Sequence, residues 1–307
     1  MLSYDRLSAK PLLFKSFTGV TVEEFDNIYD KEIIKRYEEC EIKRLSTKSK
    51  YTKREREIGA GRHFKLDVKD RFLMLLVYYR LYITYTLAGF LFNLDQSNIC
   101  RNIQKIEPLI RKCIPIPQKM YQVAKRIQTP EEVEKHFPGF LSFIDCTEQH
   151  IPRPIDKRRK KEYYSGKKKK HTVKTQFMVN NRGIIVHKVN YKKGKQHDYD
   201  IYKKNHPVAP KQVVNVLDLG YLGIEKDFPE RLSALPYKKQ RNQQELPAEE
   251  KEYNKIHSKK RIVIEHTICK LKKYRIIREV FRNKLKRYDK VSDIVSGLVN
   301  YRIINQF

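Results

Sequence analysis

Two short apolar runs, each closed by an aspartate, constrain this chain more than any other feature. Phe140-Leu141-Ser142-Phe143-Ile144 ends at Asp145, and Val213-Val214-Asn215-Val216-Leu217 ends at Asp218. Such runs, bounded by turn signals, read as buried strands. A third acid, Glu265, lies in a helix-like stretch from Arg261 to Lys272. Two strand-end aspartates and one helix-borne glutamate can converge on a pair of Mg²⁺ ions, because hard cations take carboxylate oxygens. Two such ions about 4 Å apart stabilise both the attacking and the leaving oxygen of a phosphodiester exchange.

Singly, each acid has an ordinary explanation: an aspartate after a strand caps a turn, and a glutamate on a helix is solvated. Their joint placement is what carries weight. Between the two aspartates the chain alternates in the manner of a mixed sheet. Strands are expected at 140–145, 171–180 and 184–191, a helix at 199–204, a strand at 213–217, and then a helix bearing the last acid. Asn180-Asn181-Arg182-Gly183 suits a hairpin turn between the second and third strands. Three strands, a helix, a fourth strand and a helix form the order of an RNase H-like fold. On the last helix, at about 100° per residue, Arg261, Glu265 and Lys272 fall within about 40° of one another. Ile264, Ile268 and Leu271 form the apolar flank beside that stripe.

The N-terminal third reads as all-helical. Helices are expected at 21–29 and 30–45, and a basic stretch from Ser46 to Gly61 reads as a linker. Apolar residues recur at helical spacing from Leu66 to Tyr82, after a possible Asp67 cap. From Thr84 to Arg111 two helices are joined by a tight turn, with Gly89 allowing close approach and Asn93 suited to a left-handed backbone. This is the outline of a helix-turn-helix, whose second helix, 95–106, would present Gln96, Ser97, Asn98, Arg101 and Asn102 to base edges and phosphates. A helical hairpin in any bundle shows the same outline. Thr129-Pro130-Glu131-Glu132 is a capping box that starts a short helix ending near Phe137.

Charge points the same way. The 307 residues carry 66 Lys and Arg against 36 Asp and Glu, a net charge of +30. A surplus of that size favours a polyanionic partner, because phosphates neutralised by Lys and Arg release counterions. A solvated basic surface or an RNA binder is the plainer alternative. The densest cations are Lys157-Arg158-Arg159-Lys160-Lys161 and Lys167-Lys168-Lys169-Lys170, with Tyr163 and Tyr164 between them. The run is expected to be a loop near Asp145, its tyrosines able to stack on bases. A membrane span is not expected: the longest apolar run, Phe72 to Tyr79, is closed by Arg71 and Arg80 and falls short of the roughly 20 residues needed. No leader pattern opens the chain. The five cysteines are scattered and never form C-x-x-C, which argues against a disulfide framework or a zinc knuckle. His150, His171 and His197 lack metal-ligand spacing.

These residues carry a resemblance. The chain resembles the DDE transposases of bacterial insertion sequences, in the group related to the eukaryotic Harbinger nucleases. The match lies at Phe143-Ile144-Asp145-Cys146-Thr147-Glu148, Ile151-Pro152-Arg153-Pro154, Tyr164 through Lys174, Gln196-His197-Asp198, Asp218-Leu219-Gly220-Tyr221-Leu222-Gly223, and Arg261-x₃-Glu265-x₆-Lys272. The resemblance implies an α/β RNase H-like catalytic domain, a mixed sheet flanked by helices, preceded by an all-α helix-turn-helix region. It implies Asp145, Asp218 and Glu265 as catalytic metal ligands for two Mg²⁺ ions, with Mn²⁺ able to substitute. Arg261 and Lys272 are implied DNA contacts, and Lys174 is counted with them. Where related transposases have a tyrosine three residues before the arginine, this chain has Ser258, and Leu219 stands at an often polar position.

The expected layout is a helical region over 1–65, a helix-turn-helix over 66–112, a connector over 113–138 and a catalytic domain over 139–307. The expected activity is cleavage of element ends and joining of 3′-hydroxyls to target DNA. The alternatives are a site-specific nuclease that cuts without joining, and a transposase-derived DNA-binding protein that no longer cuts. Expected partners are double-stranded DNA, both terminal repeats and target, and a second copy of the chain when assembled on DNA. The expected place is the bacterial cytosol, at the nucleoid.

Overall fold

The structure, a computed structural model, describes residues 1–49, 64–240 and 242–306. It divides into two compact units, 1–114 with 274–276, and 115–273 with 277–307. The segments expected as separate domains, 1–65 and 66–112, therefore share one unit, and most of the expected connector belongs to the other. The linker expected at 46–61 falls largely outside the described residues, and its first four residues continue the preceding helix.

The described residues of the first unit form helices alone: α1 (Tyr4–Ser8), α2 (Pro11–Thr18), α3 (Val22–Ile28), a π-helical turn (Tyr29–Ile33), α4 (Ile34–Ser49), α5 (Val68–Leu81), α6 (Tyr85–Phe92) and α7 (Gln96–Cys113). The first two are not foreseen from the sequence. Thr21 caps α3 in a reciprocal capping box with Glu24, and the Asp67 carboxylate caps α5 by accepting from the Asp70 N–H. Every residue of α5 from Arg71 to Tyr79 is buried, as expected of a helix apolar nearly all round. Its Phe72 ring stacks on Phe25 at 4.5 Å, and Phe25 on Tyr4 at 5.2 Å. Arg71 is buried yet paired, donating to the Tyr37 hydroxyl at 3.0 Å. The helical hairpin forms as expected. Asn93 ends α6 at φ 52, and a Cβ on Gly89 would come within 2.4 Å of the Leu94 carbonyl oxygen, so only glycine fits there. The second helix runs seven residues past its expected end at 106, carrying Pro108 within it. Tyr274, from late in the chain, also belongs to this unit; it is 1% exposed, and the Arg80 guanidinium lies 5.5 Å from its ring.

The second unit opens with α8 (Pro117–Ala124), inside the expected connector, and α9 (Pro130–His136), capped by Thr129 as expected. Then follow β1 (Leu141–His150), α10 (Lys157–Tyr163), β2 (Tyr164–Ser165), β3 (Lys170–Asn180), β4 (Ile185–Lys188), β5 (Lys192–Lys193), α11 (Asp198–Asn205), β6 (Val214–Val216), α12 (Ile224–Asp227), β7 (Ser233–Ala234), α13 (Ala248–Lys272), α14 (Arg275–Arg278, shared between the units) and α15 (Tyr288–Ile304). The main sheet runs β4-β3-β1-β6-β7. The strand β3 is antiparallel to β1 and β4, while β6 and β7 continue parallel on the other side. This is the mixed, helix-flanked sheet of an RNase H-like domain. One β1 face packs Ile144 into a core with Met178, Tyr202, Leu217 and Tyr221, and α13 packs against β1 and β3. The β3–β4 hairpin turns at Gly183 (φ 82), whose carbonyl accepts from Thr267 of α13 at 3.0 Å. Asn300 of α15 bonds both the N–H and C=O of Ile185, which satisfies the edge of β4 that faces away from β3.

Two strand expectations need correction. The expected third strand, 184–191, shortens to β4, and a separate piece, β5, begins just beyond it; both pair with β3. The expected first strand ends at Asp145, but β1 continues five residues further to His150, because β3 offers an antiparallel partner along its whole length. The apolar run stops where the parallel partner stops, at the Phe143–Val216 pair.

His187 of β4 packs its ring 4.5 Å from that of Tyr121 on α8. Burial, with Lys188 and Lys125 adding to it, pushes the imidazole down to about 4. Its folded value lies below the unfolded ~6.5, so stability is full above that pH and is lost as pH falls toward 4, by up to about 3 kcal/mol. Urea unfolding of wild type should weaken between pH 7 and 4.5 more than that of His187→Gln; parallel pH curves would remove the effect from this histidine.

Candidate active site

Adjacent strands place the two aspartates. Phe143 of β1 pairs with Val216 of β6. Two residues beyond each lie Asp145 and Asp218, so a side-chain period of two sets them on one face, at the level where β6 has ended. Asp218 no longer belongs to a strand; its Oδ1 accepts from the Gly220 N–H at 2.9 Å and caps a short 3₁₀ turn, Leu219–Tyr221. Asp145 likewise turns Oδ1 to a backbone N–H, that of Cys146, at 2.7 Å. The other oxygen of each faces a shared cation. Arg261 of α13 sets Nη2 3.4 Å from Asp145 Oδ2 and 3.9 Å from Asp218 Oδ2. Its side chain is 14% exposed, and its Nε is buried without a hydrogen-bond partner. The two carboxylates thus hold a cation between them.

Burial raises Asp145 to about 6; Arg261 opposes the shift and the Asp218 charge adds to it. Two carboxylates on one face offer the oxygen donors that a hard divalent cation takes. The donor chemistry therefore fits a hard metal. Glu265 does not complete the cluster. It lies one helical turn, about 6 Å along the axis, from Arg261, with an exposed side chain. Among the described residues no three His, Cys, Asp or Glu side chains are grouped to hold a metal ion. Lys272, on the same stripe, is half-buried near the end of α13.

Behind Asp145 lies a polar network of which sequence reasoning singles out Lys174 alone as a site residue. Lys174 Nζ sits 2.9 Å from Asp198 Oδ1 and 3.7 Å from Glu148 Oε1, and donates to the Gln196 carbonyl at 2.8 Å. Glu148 also accepts from Thr172 at 2.7 Å. The ammonium expected to touch DNA is therefore turned inward, 12% exposed, where it ties α11 to the sheet. The Gln176 amide donates to the Tyr221 hydroxyl at 3.0 Å, and Tyr221 is fully buried, so it packs rather than touching a ligand. The signal for this network lies in the Cys146-Thr147-Glu148 and Gln196-His197-Asp198 motifs, to which the sequence alone assigns no role.

The basic run is placed differently from expectation. Its first block forms α10, and Lys167 to Lys170 form an exposed hairpin tip between β2 and β3. That hairpin lies beside the His150 end of β1, five residues or about 17 Å along the strand from Asp145. Tyr163 is 6% exposed and cannot stack on a base, whereas Tyr164 is 42% exposed. In the helical unit, Gln96, Ser97 and Arg101 are exposed at the start of α7. Asn98 and Arg101 line a cleft of about 360 Å³ with Lys65 and Lys105. Asn102 also lines this cleft but is only 9% exposed, its amide donating back to the Asn98 carbonyl.

Residues 144–300 match the family described as DDE superfamily endonuclease, and residues 64–116 match the helix-turn-helix of DDE superfamily endonuclease. A protein of Microchaete diplosiphon described as a probable transposase for insertion sequence element IS702 is 31% identical over 245 residues, 79% of this chain and 83% of its own length. No solved structure matches the chain significantly. No helix among the described residues is long and apolar enough to cross a membrane.

Proposed function

The chain belongs to the DDE superfamily endonucleases, and from that premise we propose a divalent-metal-dependent transposase that recognises the ends of its own element through 1–114. It hydrolyses a phosphodiester to free a 3′-hydroxyl, then directs that hydroxyl at a target phosphodiester. The observation that carries the reading is the Asp145–Arg261–Asp218 cluster, two carboxylates on one face sharing a cation. Asp145, Asp218 and Glu265 would hold Mg²⁺, or Mn²⁺ in its place, which when bound supplies Lewis-acid stabilisation of the attacking and leaving oxygens. Arg261, released from the carboxylates, and Lys272 on the same helical stripe are cations for the phosphates of the cut strand. The polar network behind Asp145 holds β1 against β3, so the carboxylate does not have to be ordered at the moment of reaction.

Cutting without joining is the second reading, favoured by the family description as an endonuclease. Incubation of the full chain with end-bearing DNA, a target plasmid and Mg²⁺ separates the two. Joined strand-transfer products support the transposase, while nicked or cleaved ends alone support the nuclease. An active assembly of two copies on paired ends is part of the proposal and is read by the mass of the DNA complex.

The exposed hairpin tip gives a further test. Lys167 to Lys170 changed together to alanine should weaken binding about equally for all sequences. The slope of log K against log salt should flatten by about 0.9 for each duplex phosphate that the variant no longer neutralises. An unchanged slope would reduce the tip to a solvated turn.

A further inference from the structure

Beside the hairpin tip lies a concave pocket of about 990 Å³, formed by the end of β1, α10, β2 and the start of β3. Six cations line it: Arg153, Lys160, Lys161, Lys169, Lys170 and Lys195. Among the described residues no carboxylate does. Burial, with Lys170 and Lys168 adding to it, lowers His150 on its wall. Cations alone would suit any polyanion, but the remaining features narrow the choice. Tyr164 lies in the same wall with 42% of its surface exposed, one side of its ring packed edge-on against His171 at 5.7 Å. The strand pair beneath it is fixed, with Tyr163 and Ser165 buried on either side and the Lys168 N–H donating to Ser165 Oγ at 3.2 Å. Lys169 has a left-handed backbone at φ 52, a conformation lysine rarely adopts.

We propose that this pocket takes an unpaired stretch of DNA, its phosphates on the six cations and one base stacked on Tyr164. A tyrosine can stack only on a base face that is free, and inside a duplex each face is already covered by its neighbour. Duplex phosphates could reach the rim lysines but would leave Tyr164 unused. Along β1 the pocket begins about 17 Å from Asp145, the length of about five stacked nucleotides. A strand opened or frayed near the cut can span that distance. The inference rests on the reading of the chain as a DNA-cutting enzyme, and it adds a substrate class: ends with single-stranded character.

Fluorescence anisotropy on the full chain tests it, comparing a labelled blunt duplex with the same duplex carrying a five-nucleotide unpaired extension on either strand. Wild type should bind one of the extended duplexes about tenfold more tightly than the blunt one, the scale of a single base–aromatic stack. In Tyr164→Ala that gain should vanish while the blunt-duplex Kd stays within about twofold, since stacking and backbone charge act separately. Lys169→Ala combined with Lys170→Ala should reduce the gain and flatten its salt dependence. No gain from either extension in wild type, or a gain that survives Tyr164→Ala, overturns the proposal. Failure to bind the blunt duplex at all would instead count against the DNA-enzyme reading.

Discussion

Asp145→Asn, Asp218→Asn and Glu265→Gln should each lower divalent-metal-dependent strand cleavage on the order of 10³-fold or more, with DNA affinity within about twofold of wild type. Each amide keeps the shape of the acid and removes the charge that a hard cation requires. The three variants are not equivalent in apo protein. Asp145 is raised to about 6 by burial, so its charge opposes folding above that pH, and the cost is absent below the usual carboxylate value of 3.8. The amide removes that cost at neutral pH but leaves Arg261 with one carboxylate fewer. Thermal unfolding of Asp145→Asn should therefore show no large loss, so that missing cleavage cannot be ascribed to a missing fold. Glu265, exposed and outside the cluster, should change stability least. Metal-dependent cleavage retained by any one variant would remove that residue from the ligand set.

The second large effect concerns sequence choice. Changing Gln96, Ser97, Asn98 and Arg101 together to alanine should cut the preference for end DNA over scrambled DNA by about 100-fold or more, because each good base-edge pair carries roughly 1–3 kcal/mol of discrimination. Non-specific, salt-sensitive binding should persist, since phosphate contacts carry no sequence information. The hairpin itself should stand, its core resting on Ala88, Phe92, Ile99 and Ile103, none of which is touched. Competition binding at fixed salt reads the ratio directly. Undiminished preference in the quadruple variant would mean that other residues read the ends.

Much of this fold is legible in the sequence because local rules decide it. The caps at Thr21, Asp67 and Thr129, the turns at Asn93 and Gly183, and the apolar runs before both aspartates are all short-range signals. What is not legible depends on partners far along the chain. The polar half of β1 has no apolar alternation to betray a strand and exists because β3 lies opposite it. The two-residue strands β5 and β7 are too short for any period to register. A lysine-rich stretch reads as solvated loop, yet Asp156 caps α10 within it and Tyr163 is buried. At the site, the two strand-borne acids can be paired from sequence because strands fix direction and register. The third acid cannot, because a helix stripe says which face it occupies but not how far the helix has slid.

Arg261 and Glu265 belong to a helix whose chain, directly after Lys273, crosses into the helical unit for Tyr274 to Ile276 and then returns. The polypeptide therefore passes between the units at three places rather than one. Such a chain is stitched, not strung. A transplant of the helical half is complete only with three residues from far along the chain. Grafting 1–114 from a relative onto this catalytic unit should work only when 274–276 travel with it.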